Sequence, residues 1–110
     1  MKTHLFTFLL FLGAVLTVSA QSNKRLLAIF AHPDDEQTVA PLLVKSVEEG
    51  VEVTLVIATD GRLGVNEYTD YEAGDGLAAI RREELKCAAE TLGVELIHLN
   101  YHDQLRAAEG

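Results

Sequence analysis

Two hydrophobic periods alternate along this chain. Leu26 to Ala31 is an unbroken apolar run, the pattern of a strand covered on both faces. The stretch after it reads as helical and stops at Gly50, a residue suited to the position just past a helix end. Pro41 lies inside that stretch. Proline is tolerated in a first turn but not in a helix interior, which predicts that regular helix starts near Ala40. Val51 to Ala58 is a second strand run, stopped by Thr59-Asp60-Gly61. Residues 61–76 carry four of the eight glycines and read as a loop. Leu77 to Leu92 is a second helix with Gly93 at its end, and Val94 to Leu99 is a third strand leading into Asn100-Tyr101-His102-Asp103.

The predicted order is β-α-β-α-β. It implies an α/β fold with a Rossmann-like, doubly wound parallel sheet, here as one portion of a larger domain. Ligands of such sheets bind outside the carboxyl ends of the strands. Those ends are AHPDDE, TDG and YHD, so the polar, metal-capable residues are expected along one edge. A dinucleotide site would need G-x-G-x-x-G after the first strand. His-Pro-Asp-Asp stands there instead, and its carboxylates would repel a pyrophosphate.

The first twenty residues are of a different kind. Lys2 supplies a short positive segment, Leu5 to Val18 is nearly all apolar, and Val18-Ser19-Ala20 offers the small residues a signal peptidase reads. This predicts a secretory signal over residues 1–20, cut before Gln21, and export to the periplasm or the outside. The apolar run is shorter than the roughly 20 residues of a spanning helix, so no stable membrane span is expected after cleavage. Residues 21–110 then form the N-terminal part of one domain. The 110 residues are 48% hydrophobic and 24% charged, a globular composition, and the net charge of −8 excludes a nucleic-acid partner that needs its phosphates neutralised. Cys87 has no internal partner and reads as a small core residue.

The chemistry concentrates in the first turn. His32 and Asp35 stand at i and i+3 across a strand-to-helix bend that Pro33 stiffens. An imidazole and a carboxylate turned toward one point suit Zn²⁺, although another divalent ion is compatible with the same donors. A cation would offset repulsion among the clustered acids and lower the pKa of a bound water. Asp34, beside the ligands, could take that water's proton as general base. Glu36 is expected to serve a helix N-terminus, where negative charge is favoured. Acidic helix caps alone would explain the carboxylates, but a cap requires neither His32 nor Pro33.

AHPDDE resembles the signature of the PIG-L/LmbE family of zinc-dependent N-acetylglucosaminyl deacetylases. The resemblance continues through Thr59-Asp60-Gly61, through Ile80-Arg81-Arg82-Glu83-Glu84-Leu85 with Ala88-Ala89 and Leu92-Gly93-Val94, and to Asp103. It covers nearly all of residues 24–103 in order. It implies hydrolysis of an acetamide on an amino sugar or glycoconjugate by a zinc-activated water. By position it makes His32 and Asp35 metal ligands, Asp34 the base, and Arg81 and Asp103 the residues that hold the sugar. The alternative is a non-catalytic metal- or sugar-binding module of the same fold. Two departures stand out. Thr38-Val39-Ala40-Pro41 replaces glycines that often follow the motif, so the start of the first helix is expected to differ. The family's third ligand, a His, lies well downstream, so the third ligand and the carbonyl-polarising residues are expected beyond Gly110, and the 110 residues alone are expected to be weakly active or inactive.

The second helix supports the site independently. At 100° per residue, Arg81 and Glu84 fall inside the stripe formed by Leu77, Ile80, Leu85, Ala88 and Leu92, whereas Arg82, Glu83, Lys86 and Glu90 fall opposite. Arg81 and Glu84 at i, i+3 can pair, with Glu84 aiming Arg81 at the cleft. His98 is expected to be a packed histidine within its strand, and His102 to face substrate or the surface.

Overall fold

The computed structural model describes residues 23–103; the expected signal segment and residues 104–110 lie outside the described residues. Strand β1 is Arg25–Phe30, β2 is Glu52–Thr59 and β3 is Glu95–Tyr101. A 3₁₀ turn over Asp35–Val39 runs directly into helix α1, Ala40–Glu48, and helix α2 is Asp75–Leu92. Pro41 stands in the first turn of α1, as its missing N–H requires. The helices end as expected, with Gly50 at φ 78° and Gly93 at φ 72°. The chain enters α1 through this 3₁₀ turn, within which Thr38 donates its hydroxyl to the Asp35 carbonyl at 2.9 Å.

The three strands are parallel and ordered β1-β2-β3, with Leu27 opposite Thr54 and Leu55 opposite Leu96. The α/β class and the parallel sheet follow the sequence expectation. Among the described residues the chain winds in one direction only. Right-handed crossovers in a single direction deliver both helices to the same face. That face is the core: Leu55 and Ile57 of β2 and Leu85 of α2 are fully buried and pack with Ala28, Phe30, Val94 and Leu96. Each of the three fully buried side chains contributes about 1.5–3 kcal/mol by leaving water. The other face exposes Leu27, Ile29, Ile97 and Leu99. The two-sided cover read from the apolar run of β1 is therefore not found among the described residues, because no described element lies on that side. No helix among the described residues is long and apolar enough to cross a membrane.

The carboxyl ends of the strands are tied together tightly. Thr59 donates its amide and its hydroxyl to the Ala31 carbonyl, at 2.8 and 2.9 Å. Beyond Ile57, which faces His98, the β2–β3 register slips so that Thr59 faces Tyr101. Asn100 takes up the additional residue at φ 56°, a left-handed conformation that asparagine tolerates. The slip brings the Tyr101 carbonyl onto the Asp60 amide at 2.8 Å. His98 donates Nε2–H to the Thr59 carbonyl at 2.8 Å, the packed role expected of it.

Candidate active site at the strand ends

The first turn is strained in a specific place. Asp34 has φ 97° and ψ −24°, outside the regions open to ordinary side chains. Its neighbours hold it there. Pro33 is buried, the Asp34 amide donates to Glu36 Oε2 at 3.0 Å, and its carbonyl accepts from the Gln37 amide at 3.1 Å. Glu36 is only 3% exposed, so its main service is to this backbone rather than to a solvent-facing helix start. The consequence is an Asp34 carboxylate thrown clear of the turn. Oδ1 accepts from Gln37 Nε2 at 2.5 Å and Oδ2 from Arg81 Nη1 at 2.8 Å.

His32 and Asp35 come together as expected. Asp35 Oδ2 accepts the His32 amide at 2.9 Å and lies 3.5 Å from His32 Nδ1. The far ring nitrogen, Nε2, is 3.2 Å from Asp103 Oδ1. A carboxylate only accepts, so Nε2 is the nitrogen placed to donate to Asp103, and Nδ1 lies on the Asp35 side. Two donors 3.5 Å apart can share one cation at ligand distances of about 2.0–2.2 Å. The pair fits zinc as part of a coordination sphere. Among the described residues no group of three or more His, Cys, Asp or Glu side chains converges on a metal position. His102, at the end of β3, is exposed.

Asp103 therefore sits against His32, where the family resemblance gives it the sugar. Its position depends on a residue outside the expected set of site residues. Asp60 is 1% exposed, and its Oδ1 accepts the Asp103 amide at 3.2 Å and the Arg62 amide at 3.1 Å. Its Oδ2 accepts Arg62 Nε at 2.8 Å and lies 2.8 Å from Nη2. Burial raises the Asp60 pKa, but the hydrogen bonds from Arg62 and from the Asp103 amide, with the Arg62 charge, outweigh it and leave the group below its ordinary value. Arg62 reaches on to Asp75 Oδ1 at 3.0 Å, closing the base of the 61–74 loop onto the start of α2. The available signal was an acid directly after a buried strand with an arginine two residues on.

Arg81 and Glu84 pair as predicted, Nη1 to Oε2 at 3.1 Å. Partial burial lowers the Arg81 pKa, and Asp34 and Glu84 more than restore it, so the guanidinium stays charged. Asp34 and Arg81 stand between two depressions. One is a groove of about 570 Å³ along α2, floored by Pro33, Ala40, Leu85 and Ala88. The other, about 180 Å³, lies under the 61–74 loop and is lined by Gly64, Asn66 and Tyr71. Cys87 opens onto the larger groove and is exposed. The core position expected for it is wrong, because it falls on the flank of the α2 stripe that Leu85 and Ala89 bury.

Several known proteins are similar to this chain. It is 34% identical over 85 residues to the probable N-acetyl-alpha-D-glucosaminyl L-malate deacetylase 2 of Bacillus cereus, covering 74% of this chain and 39% of that protein. It is 40% identical over 77 residues to the diacetylchitobiose deacetylase of Thermococcus kodakarensis, covering 68% of this chain and 28% of that one. Among solved structures, the N,N'-diacetylchitobiose deacetylase of Pyrococcus horikoshii aligns with a TM-score of 0.64 and 40% identity, over 73% of this chain and 30% of that chain. The chain spans less than half the length of these relatives. The family model for GlcNAc-PI de-N-acetylases matches residues 27–109, and within that span lie the His32–Asp35 turn, Asp60 and Arg81: the chain belongs to the PIG-L family.

Proposed function

We propose that the protein is a metal-dependent hydrolase that removes the acetyl group from an N-acetylglucosamine-type sugar or conjugate. The observation that carries this reading is the first turn, where His32 and Asp35 pair at 3.5 Å and a strained backbone turns the intervening Asp34 carboxylate out toward Arg81. His32 Nδ1 and Asp35 would hold the cation, preferably Zn²⁺, with further ligands from outside the described residues. When bound, the ion supplies a Lewis acid that polarises an acyl oxygen and makes water a nucleophile near neutral pH.

The chain's own residues do the rest. Asp34 accepts the proton of the attacking water and returns it to the departing amine of the sugar. Arg81 and Gln37 fix the Asp34 carboxylate so that this transfer occurs along one direction. The groove lined by Asp34 and Arg81 offers the sugar a place next to the base, with Arg81 available to its hydroxyls as the family resemblance implies; His32, Asp35 and Asp103 lie outside its lining. The N-terminal apolar run and its Val18-Ser19-Ala20 boundary support export, which makes envelope or extracellular glycans the substrates within reach.

The test is acetate release from N-acetylglucosamine derivatives by the full-length protein, with and without a chelator. Loss of activity on chelation, return on adding zinc, and loss in Asp34→Asn are expected. Activity indifferent to chelation, or retained by Asp34→Asn, would show that water is not activated in this way.

A further inference from the structure

Resting on that reading of the site, we propose that Asp60 is a positioning residue that sets the tautomer of His32 through Asp103. Asp60 touches neither the metal pair nor either depression, yet it is the most completely buried acid described. Its four close partners come from two strand ends: the Arg62 amide and guanidinium beyond β2, and the Asp103 amide beyond β3. Its own amide is held by the Tyr101 carbonyl. The carboxylate thus closes a ring that fixes where Asp103 begins its side chain. That side chain is 13% exposed and places Oδ1 3.2 Å from His32 Nε2.

The chemical consequence is directional. With Nε2–H donated to Asp103, the Nδ1 lone pair is turned toward Asp35, 3.5 Å away. Without that acceptor, the proton distributes over both ring nitrogens, and the fraction holding it on Nδ1 cannot offer a ligand there. Arg62 is what permits a buried carboxylate in this place: it neutralises Asp60 while Asp75 anchors its other side. A neutral residue at position 60 would leave Arg62 with a weaker acceptor and free the Asp103 amide to drift from the strand edge.

The experiment uses the full-length protein, freed of metal, at about pH 8, above the ordinary imidazole range of about 6.5. Long-range ¹H–¹⁵N correlations report the tautomer of each histidine. Wild type is expected to show His32 protonated at Nε2. Asp60→Asn and Asp103→Asn are expected to shift it toward a mixture. Zinc affinity, measured by chelator competition, is expected to fall about 10- to 100-fold in both variants. His98 is the internal control, because its bond to the Thr59 carbonyl involves neither aspartate side chain. A His32 signal and zinc affinity unchanged in Asp60→Asn would overturn the proposal. So would His32 and His98 moving together, since that marks general loosening of the strand ends. Asp103→Asn guards against a misfolded Asp60 variant: a wild-type His32 signal there also overturns it. A tautomer shift in a protein that never binds zinc would support the positioning of His32 and refute the metal reading instead.

Discussion

One nitrogen of Arg81, Nη1, bonds both Asp34, at 2.8 Å, and Glu84, at 3.1 Å. The guanidinium therefore links helix α2 to the strained turn after β1 and aims the Asp34 carboxylate. This geometry predicts an effect on kcat and not only on substrate binding. Arg81→Ala is expected to lower kcat for deacetylation about 10²-fold, the cost of a misplaced reacting group. Arg81→Lys should recover part of the loss, because both bonds come from one nitrogen and an ammonium has donors for both, though on a more flexible stem. Steady-state kinetics decide the matter: a raised KM with unchanged kcat would assign Arg81 to the sugar alone.

The turn itself carries a second prediction. Asp34 sits at φ 97°, and a side chain held in such a region costs about 1–3 kcal/mol. Asp34→Ala and Asp34→Gly both delete the carboxylate, so comparing them isolates the backbone. Glycine is expected to be the more stable of the two by about 1–2 kcal/mol in urea unfolding, with neither variant active. Equal stability would mean that the turn relaxes once the carboxylate no longer meets Arg81 and Gln37.

Much of this site was legible because the relevant signals are local. The bend after an apolar strand, the i, i+3 spacing of His32 and Asp35, and that of Arg81 and Glu84 need only a few neighbouring residues, although Glu84, read into the apolar stripe of the helix, is exposed. What could not be read depends on pairing between distant segments. The role of Asp60 follows from the slip of β3 past β2 at Asn100, which no periodicity in either strand encodes. The same slip places Asp103 on His32. Cys87 misled because a small thiol is commonly buried, whereas its place on α2 puts it at the flank of the core stripe. The open outer face of β1 is a matter of winding direction, and an apolar run cannot express direction.

Gly61 ties the second strand end to the first. It is buried at φ +66°, and a Cβ built there would lie 3.1 Å from Pro33 Cδ and 3.3 Å from Cγ. Gly61→Ala thus adds a left-handed penalty of about 1–2 kcal/mol and also presses on the proline that stiffens the His32–Asp35 turn. A drop in stability of about that size is expected, together with weaker zinc binding. Gly50 serves as the comparison, having φ +78° but nothing within 4 Å of a built Cβ. Gly50→Ala should lose similar stability and leave zinc affinity unchanged. Equal zinc binding by the two variants would show that Pro33 yields without moving the ligands.

The buried Asp60 predicts how stability depends on pH. Its folded-state pKa lies below the ordinary value of 3.8, so the unfolded chain takes up the proton first as acid is added. The group's contribution is complete above that ordinary value and is lost as pH falls through the lower, folded one. The groups facing it keep their charge throughout: the Arg62 guanidinium is cationic at any such pH, and the Asp103 and Arg62 amides do not titrate. Asp75, which shares Arg62, is exposed and bonds its opposite nitrogen. Asp60→Asn should therefore unfold more easily at pH 7, by about 1–3 kcal/mol for a buried donor set left with a poorer acceptor. The difference from wild type should shrink toward pH 3, where the native carboxylate loses its advantage. Urea midpoints from pH 7 to pH 3 measure this directly. A gap that stays constant over that range would mean that Asp60 stabilises the strand ends by shape and not by charge.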